Sequence, residues 1–600
     1  MRIKWFSFVR ITGLLLVLLY HFFKKQFPGG FIGVDIFFTF SGYLITALLL
    51  DEYSRNHKID IIGFFRRRFY RIVPPMVLMV LITLPFTLLI KTDFRAGIGN
   101  QIAATFGFMT NVYEIMTGGN YEAQFVPHLF VHTWSLAIEV HFYIVWGLLL
   151  WFLGKRVKNS KQYRGVVFMV SSSLFLAGFL AMFISSFFVH NFSSIYFSTW
   201  THSFPFFLGS VFATMTGIQN TTKRFKKNVR LWKTSRVITY VLGSFALLFL
   251  LSLILDFDHL FTYLFGFVLS SLFASVMIYS CRVLSDQTSI KEPAFVTYLA
   301  DTSYGVYLFH WPFYVIFSQM LSNTQAVMVT VLLSYLFATL SFYVLEPLIA
   351  GKSSHLFRWD FDLRPYSKWI YTSFAALGVL MLFLTTVSPK MGEFETNLLV
   401  SSLNQSNDQM RQTRNLADKE NIGKTGSQVL IIGDSVALSS SGALSQYLPN
   451  AQQDSAVSRN FDLAFDIFEN HIKNETLPET VVIAVGVNSV YDYKDDTQQF
   501  IDALPKGHHL VFVTPYNGKE NQAAVKEARD YELTLTKKYN YITIADWYKV
   551  AVDHPEIWPG TDGVHYKDNG SDDSEGGKLY AQTLQAALKK AAKAPAKGEK

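Results

Sequence analysis

Residues 5–24, WFSFVRITGLLLVLLYHFFK, decide the class of the N-terminal part of the chain, because they form an almost continuous apolar run. A helix crosses the hydrocarbon core of a bilayer with about 20 such residues. Ten further apolar runs follow, and they lie near residues 31–50, 72–91, 139–154, 165–187, 204–217, 236–255, 261–281, 303–320, 325–348 and 368–388. We therefore expect residues 1–390 to form a polytopic α-helical membrane domain with about eleven spans.

The composition agrees with a bilayer as the solvent of this first part. Charged residues make up 16% of the chain and apolar residues 50%, whereas a soluble domain has about 25% charged residues. The formal net charge is +8, but the basic residues lie in short segments between apolar runs, so we expect no nucleic-acid partner. The single cysteine, Cys281, excludes a disulfide within the chain and a cysteine-cluster metal site, and we expect no metal.

The basic residues also predict how the chain is oriented. Lys and Arg are retained in cytoplasmic loops, and twenty-four of them lie in the loops after the even-numbered runs, against four in the opposite loops. We therefore expect a multi-pass protein of the cell membrane, with a cytoplasmic N-terminus and an extracellular part after residue 388. Lys24 and Lys25 stand at the end of the first run, where a signal peptide would have a small-residue cleavage site, so we expect this run to stay in the mature protein.

The pattern changes completely after residue 390. Residues 391–427 are rich in Ser, Asn, Gln and Asp, which predicts an extracellular linker. From residue 428 short apolar strands such as QVLIIG, TVVIAVG and HLVFVTP alternate with polar segments long enough for helices, so we expect a three-layer α/β domain with a parallel sheet over residues 428–590. Residues 591–600 are expected to be a basic, disordered tail.

This second domain carries residues that suit nucleophilic catalysis. The apolar strand Val429-Leu430-Ile431-Ile432 runs into Gly433-Asp434-Ser435, which places Ser435 at a strand-to-helix turn, where backbone N–H groups stabilise developing negative charge. Asp562-Gly563-Val564-His565 offers a base, His565, and an acid, Asp562, that can orient it. Asn488 follows another apolar strand and can donate to an oxyanion.

The order of these residues resembles the SGNH hydrolase and esterase family over roughly residues 428–590. The resemblance implies a Ser435-His565-Asp562 triad with Asn488 in the oxyanion hole. The sequence departs from the family at Gly486-Val487-Asn488-Ser489 and at Ala456-Val457-Ser458-Arg459, where the second-block glycine is replaced. The resemblance then implies that Ser458 donates its backbone N–H to the oxyanion.

Polar residues inside apolar runs tend to mark function in membrane proteins. Arg10 and His21 share one face of the first run, about 16 Å apart along a helix axis, and Arg66 to Arg71 follow the second run. His21 could act as a base and the arginines could bind anions. Snorkelling, capping and positive-inside topology explain the same residues without a catalytic role.

The membrane part resembles the acyltransferase family 3 proteins over about residues 5–350. The motifs that carry the resemblance are Gly33-Val34-Asp35-Ile36-Phe37-Phe38 with Ser41-Gly42-Tyr43, Phe65-Arg66-Arg67-Arg68-Phe69-Tyr70-Arg71, His132-Thr133-Trp134-Ser135-Leu136 with Glu139, Ser303-Tyr304-Gly305-Val306-Tyr307 with His310, and Glu346-Pro347. It implies acetyl-CoA as the cytoplasmic donor, bound only transiently, and a membrane site formed by His21, Arg10, Arg68, Arg71 and Glu139. Tyr196 matches a tyrosine proposed to relay acyl groups in this family.

The order of the two parts resembles the bimodular peptidoglycan O-acetyltransferases of Gram-positive bacteria. This resemblance implies that acetyl crosses the bilayer, is taken by Ser435 and is passed to the C6 hydroxyl of N-acetylmuramoyl residues, which gives lysozyme resistance. Three alternatives remain open: an extracytoplasmic carbohydrate esterase, an O-acyltransferase acting on another envelope polysaccharide, and a transporter or receptor with a vestigial SGNH domain.

Overall fold

The computed structural model describes residues 3–117, 127–189, 191–351, 353–356, 359–392, 396, 399–400, 428–488, 492–518, 522–558, 561–566 and 574–599. Its internal contacts divide the chain into two units, Met1–Lys390 and Met391–Lys600. The predicted linker at 391–427 lies almost entirely outside the described residues, so it stays a prediction.

The first unit is helical. Its helices are α1 (Phe6–Phe22), α2 (Gly33–Asn56), α3 (Ile61–Phe86), α4 (Ile98–Phe106), α5 (Thr110–Met116), α6 (Trp134–Arg156), α7 (Ser160–Ser185), α8 (Ser193–Phe197), α9 (Phe204–Thr216), α10 (Lys223–Leu231), α11 (Thr234–Ile254), α12 (Phe267–Gln287), α13 (Ala294–Ser318), α14 (Asn323–Leu340), α15 (Glu346–Ile349) and α16 (Ser367–Val387). A short antiparallel hairpin, β1 (Ser354–Leu356) and β2 (Trp359–Phe361), precedes α16.

The predicted membrane fold is confirmed, since each of the eleven predicted runs coincides with a helix. Within the described ranges, eight helical segments are long and apolar enough to cross a bilayer, while α1 and α9 are shorter apolar helices. Helix α13 is not among either set, because polar residues such as Asp301 and His310 interrupt its apolar character. The orientation of these helices relative to the two sides of the membrane stays a prediction.

Glycine allows α2 and α9 to approach each other closely. A Cβ atom on Gly42 would lie 1.9 Å from the carbonyl oxygen of Phe206, and one on Gly209 would lie 1.9 Å from the carbonyl oxygen of Thr39. Any side chain at either position would therefore separate the two backbones. Close approach through small residues is a general way to pack helices in membranes.

The second unit is an α/β domain with five parallel strands, β3 (Val429–Gly433), β4 (Ala451–Ser455), β5 (Thr480–Ala484), β6 (His509–Val513) and β7 (Ile542–Ala545), in the order β4-β3-β5-β6-β7. Its helices are α17 (Ser435–Ser439), α18 (Ser441–Tyr447), α19 (Phe461–Lys473), α20 (Tyr493–Ala503), α21 (Gln522–Lys538), α22 (Trp547–Asp553) and α23 (Glu575–Ala591).

Alternating strand residues supply two cores, one on each face of this sheet. Ile431 and Val482 pack with α18, α22 and α23 on one face, while Leu430 and Val481 pack with α19, α20 and α21 on the other. Side chains of a strand point alternately to the two faces of a sheet, so a continuous apolar strand serves both layers. The predicted three-layer fold with a parallel sheet is confirmed.

The end of the chain differs from the expected disordered tail. The backbone N–H of Lys597 donates to the carbonyl of His508 and its carbonyl accepts from Gly507. Its ammonium group donates to the carbonyls of Ile501 and Leu504 at 2.8 and 2.6 Å. A basic side chain can satisfy the free carbonyls at the C-terminus of a helix, here α20. Within residues 592–599 the chain is thus held against the domain.

Candidate active sites

Ser435 stands at the first residue of α17, directly after β3. Asp434 caps this helix, because its Oδ1 accepts a hydrogen bond from the backbone N–H of Val436 at 2.9 Å, while its own N–H donates to Ala484 at 3.0 Å. Gly433 is required at the turn, since a Cβ there would lie 2.4 Å from the Cβ of Ala437. The serine is thus fixed at the carboxyl end of the central strands, where α/β sheets form their sites.

The structure brings Ser435, His565 and Asp562 together. Nε2 of His565 lies 2.7 Å from the hydroxyl oxygen of Ser435, and Nδ1 of His565 lies 2.7 Å from Oδ2 of Asp562. The other carboxylate oxygen accepts the backbone N–H groups of Val564 and His565, at 2.9 and 2.7 Å. This is the nucleophile, base and orienting acid arrangement of serine acyl transfer.

Electrostatics favour an ionised Asp562. Burial raises the pKa of its carboxyl group, but the hydrogen bonds and charge of His565 and the backbone N–H of Val564 outweigh burial, so the pKa lies below its ordinary value. A carboxylate at this position holds the proton of His565 on Nδ1 and leaves Nε2 able to accept the proton of the Ser435 hydroxyl. At Asp434 burial outweighs the hydrogen bonds and charges that lower the pKa, so the pKa is raised to about 6.

The loops that carry Asn488 and Ser458 are joined to each other. The amide nitrogen of Asn488 donates to the carbonyl oxygen of Arg459 at 3.2 Å. The Arg459 guanidinium in turn donates to the carbonyl of Gly433 at 3.2 Å, next to the Ser435 turn, and pairs with Asp454 at 2.7 Å. These contacts hold the ends of β3, β4 and β5 in one arrangement.

Ser458 has φ 57°, which is the left-handed conformation that favours glycine. The local backbone therefore has the shape expected of a glycine although the side chain is a serine. The oxyanion role of Ser458 and Asn488 stays a prediction.

A cavity in the first unit gathers four of the predicted membrane-site residues. It encloses about 110 Å³, and Arg10, Arg68, Arg71 and Glu139 all line it. Glu139 accepts hydrogen bonds from the hydroxyl groups of Ser41, at 2.5 Å, and of Tyr143. A cavity lined by three guanidinium groups and one carboxylate is suited to an anionic ligand.

Sequence reasoning missed several residues of this cavity. Ser41, Tyr143, Ser135, Tyr304 and Tyr307 also line it. Tyr143 follows Glu139 by four positions on α6, which places the two on one face of the helix, so this spacing could have identified it. The other four residues stand in the motifs that carry the family resemblance, but the sequence indicates no individual role for them.

His21 is not among the residues that line the cavity. Its Nδ1 lies 2.8 Å from Nε2 of His310, and the ring of His132 lies 5.9 Å from that of His310. His310 and His132 are buried, whereas His21 keeps part of its surface exposed. His21 is therefore not a lining residue of the arginine cavity, and the structure adds His310 as its partner.

Tyr196 is also outside the cavity lining. It is fully buried, with its ring 4.5 Å from that of Trp134 and 4.8 Å from that of His202. His202 binds Asp35 at 3.2 Å with both side chains buried, and its Nδ1 contacts the Tyr196 carbonyl at 2.8 Å. The structure thus supplies a packing role for Tyr196, and its role in acyl relay stays a prediction.

Comparison with known proteins covers almost the whole chain. A family model described as an acyltransferase domain matches residues 3–351. "O-acetyltransferase OatA" of Staphylococcus aureus (strain MRSA252) is 28% identical over 600 residues, covering 94% of this chain and 93% of that protein. "Putative peptidoglycan O-acetyltransferase YrhL" of Bacillus subtilis (strain 168) is 26% identical over 625 residues, covering 94% and 95%.

One solved structure is also similar to part of the chain. The C-terminal catalytic domain of Streptococcus pneumoniae peptidoglycan O-acetyltransferase A (OatA), with a methylsulfonyl adduct, is 46% identical and covers 29% of this chain and 100% of that chain, with a TM-score of 0.28. The full-length relatives confirm the resemblance that the sequence motifs indicated.

Proposed function

The chain belongs to the acyltransferase domain family through residues 3–351, and from this membership we propose that it is a membrane O-acetyltransferase that transfers acetyl to cell-wall peptidoglycan. The proposal includes acetyl-CoA as the cytoplasmic donor and the C6 hydroxyl of N-acetylmuramoyl residues as the acceptor. It is carried by one observation: a chain with this membrane domain also places the Ser435 hydroxyl 2.7 Å from Nε2 of His565.

In the second domain, Ser435 would work twice in each turnover. Its hydroxyl gives its proton to His565 while Oγ bonds to the acetyl carbon, and the bond between acetyl and its carrier breaks as His565 returns the proton to the carrier. The sugar hydroxyl then gives its proton to His565, attacks the ester and releases Ser435, which regains the proton. Asn488 and backbone N–H groups would hold the negative charge of both tetrahedral states.

In the first domain, the arginine cavity supports binding of the donor. Coenzyme A carries phosphates, and guanidinium groups bind phosphates with paired, charge-assisted hydrogen bonds. Arg10, Arg68 and Arg71 line this cavity together with Glu139. His21 would act as the base of the membrane step: its ring takes the proton from the hydroxyl that receives acetyl, and the proton passes to the coenzyme A sulfur as the thioester breaks.

The test uses the full chain in lipid nanodiscs, with acetyl-CoA and a muroglycan fragment as substrates and mass spectrometry of the glycan as the readout. We expect acetylated glycan from the wild type and none from Ser435→Ala. Ser439→Ala is the matched control, because Ser439 lies on the same short helix and, among the described residues, its hydroxyl donates only to the carbonyl of Val436, at 2.9 Å.

Other outcomes separate the alternatives. Free acetate released from a pre-acetylated glycan, without new acetylation, would favour the carbohydrate esterase. Acetylation of a different envelope polysaccharide but not of the muroglycan would change the acceptor and keep the mechanism. Acetylated glycan from Ser435→Ala would contradict the serine mechanism.

A further inference from the structure

A chain of hydrogen bonds runs from the backbone of α13 through His310 to His21. Nδ1 of His310 lies 2.6 Å from the carbonyl oxygen of Tyr307, and Nε2 of His310 lies 2.8 Å from Nδ1 of His21. The two rings lie nearly parallel, with centroids 5.0 Å apart. His310 is fully buried, so its partners are fixed by the protein and not by bulk water.

The first hydrogen bond in this chain determines which ring nitrogen of His310 carries the proton. A carbonyl oxygen only accepts hydrogen bonds, so Nδ1 of His310 must carry a hydrogen. In a neutral ring Nε2 then has a lone pair and accepts. The hydrogen between the two rings therefore belongs to Nδ1 of His21, and the lone pair of a neutral His21 ring stands on its Nε2.

The surroundings favour the neutral form of His310. The ring is buried beside two further imidazoles, those of His21 and His132, and burial of an uncompensated charge is expensive. His132 makes its own contact with α13, through Nε2 and the carbonyl of Leu308 at 2.9 Å. It does not replace His310 in the bond to His21.

The acceptor carbonyl is itself held in place. The Tyr307 hydroxyl donates to the carbonyl of His132 at 2.8 Å and lies 2.6 Å from the Ser135 hydroxyl. On the other side of His310, the indole N–H of Trp311 donates to the carbonyl of His128 at 3.0 Å. These bonds fix the turn of α13 that carries His310, so the ring presents Nε2 to His21 in a constant position.

We propose that His310 is a positioning residue, which holds His21 in the tautomer with hydrogen on Nδ1 and so leaves Nε2 to take the proton in the membrane step. This inference rests on the proposed role of His21 as the base of that step. An imidazole in the other tautomer would offer an N–H where a lone pair is needed, and loss of tautomer control can reduce a rate by about 10⁴-fold.

Three substitutions test the bond geometry in the full chain in nanodiscs, with release of free coenzyme A thiol from acetyl-CoA as the readout. His310→Gln keeps a carbonyl acceptor near the position of Nε2, whereas His310→Asn reaches only the position of Nδ1 and His310→Phe offers no acceptor. We expect His310→Asn and His310→Phe to lower kcat by about 10–100-fold, as loss of an orienting partner does, and His310→Gln to stay within about threefold of the wild type.

Two further readouts distinguish positioning from folding. The KM for acetyl-CoA should stay unchanged in all three variants, because none of them removes an arginine of the cavity. In protein labelled with ¹⁵N-histidine, the His21 signals, assigned by difference from His21→Gln, should show hydrogen on Nδ1 in the wild type and in His310→Gln.

The outcomes also separate this inference from the function on which it rests. If His21→Ala releases coenzyme A at the wild-type rate, the proposed role of His21 is wrong. If His21→Ala is inactive while His310→Phe keeps the wild-type rate, or if wild-type His21 carries its hydrogen on Nε2, the inference about His310 is wrong. The wild-type spectrum decides the question even if His310→Phe does not fold.

Discussion

At the scale of single residues, Asp562 shows how one carboxylate determines the state of its neighbours. It accepts hydrogen bonds from two backbone N–H groups and from the ring of His565, so three contacts fix its position. Its pKa lies below the ordinary value because these interactions outweigh burial. The carboxylate therefore stays ionised at neutral pH and keeps the imidazole oriented toward Ser435.

The first prediction concerns Asp562→Asn in the fragment 428–600, with an activated acetyl ester as the donor. An asparagine amide can donate to Nδ1 and favour the wrong tautomer, so we expect kcat to fall by about 10⁴-fold. Asp553→Asn, at an exposed position, should keep the wild-type rate. A similar loss in both variants would show that the effect is not specific to His565.

The second prediction concerns Glu532, a buried carboxyl group on α21. Its side chain is 1% exposed, and its Oε2 has no hydrogen-bond partner among the described residues. Burial, followed by the nearby charge of Asp546, raises the pKa of Glu532 well above its ordinary value. The folded domain therefore binds a proton that the unfolded chain releases, and stability falls as pH rises above the unfolded pKa.

We expect Glu532→Gln to remove the loss of stability that ionisation of Glu532 causes as pH rises. The variant should then melt at least about 2 °C above the wild type at pH 8, with a smaller difference at pH 5. Thermal unfolding of residues 428–600 at both pH values measures it. Glu527→Gln, exposed on the same helix, should leave the melting temperature unchanged. Asp434 keeps its own dependence on pH in every variant, since its pKa of about 6 is also raised by burial.

At the scale of elements, the contact between α2 and α9 depends on two glycines. The third prediction is that Gly42→Val lowers the melting temperature and yield of the detergent-solubilised protein, because its side chain would meet the Phe206 backbone and overpacking costs about 1–3 kcal/mol or more. Gly243→Val on α11 is the control, since a Cβ at Gly243 meets no atom within 4 Å. Equal yields from both variants would contradict the packing argument.

Sequence patterns predicted the elements well where a period or a local turn is sufficient. The eleven apolar runs are helices, and the strand before Ser435 ends in the expected turn, because each depends on neighbouring residues. The His565-Asp562 spacing likewise identified side chains that do meet. The order of the strands and the partner of His21 depend on contacts between distant segments, and His310 stands 289 positions away.

The tail illustrates a different limit of sequence analysis. The composition of residues 591–600 predicts disorder, but in the structure Lys597 donates hydrogen bonds to free carbonyls at the end of α20. These carbonyls lie near Lys597 only in the folded domain. The charge of Lys597 alone predicts an exposed side chain, because the carbonyls that it contacts lie nearly 100 positions earlier in the sequence. Tyr196 shows the same limit of sequence analysis. Its motif matches the family, but its position outside the cavity lining is determined by packing against Trp134 and His202.

At the scale of the whole molecule, the two domains should perform separable half-reactions. The fourth prediction is that His21→Ala in the full chain stops release of coenzyme A, while fragment 428–600 still transfers acetyl from a soluble ester to a glycan. This second unit has its own two-sided core, so we expect the fragment to fold. An inactive but folded fragment would mean that the membrane domain contributes to the serine site itself.

Cys281 has a practical consequence for mapping the protein in living cells. It is the one thiol of the chain and it is fully buried, so a membrane-impermeant maleimide has no native target on the folded protein. A cysteine introduced at an exposed position thus becomes a unique chemical reporter. We expect Thr324→Cys to react in intact cells and Lys158→Cys only after permeabilisation, as the distribution of basic residues predicts. The reverse labelling pattern would invert the topology.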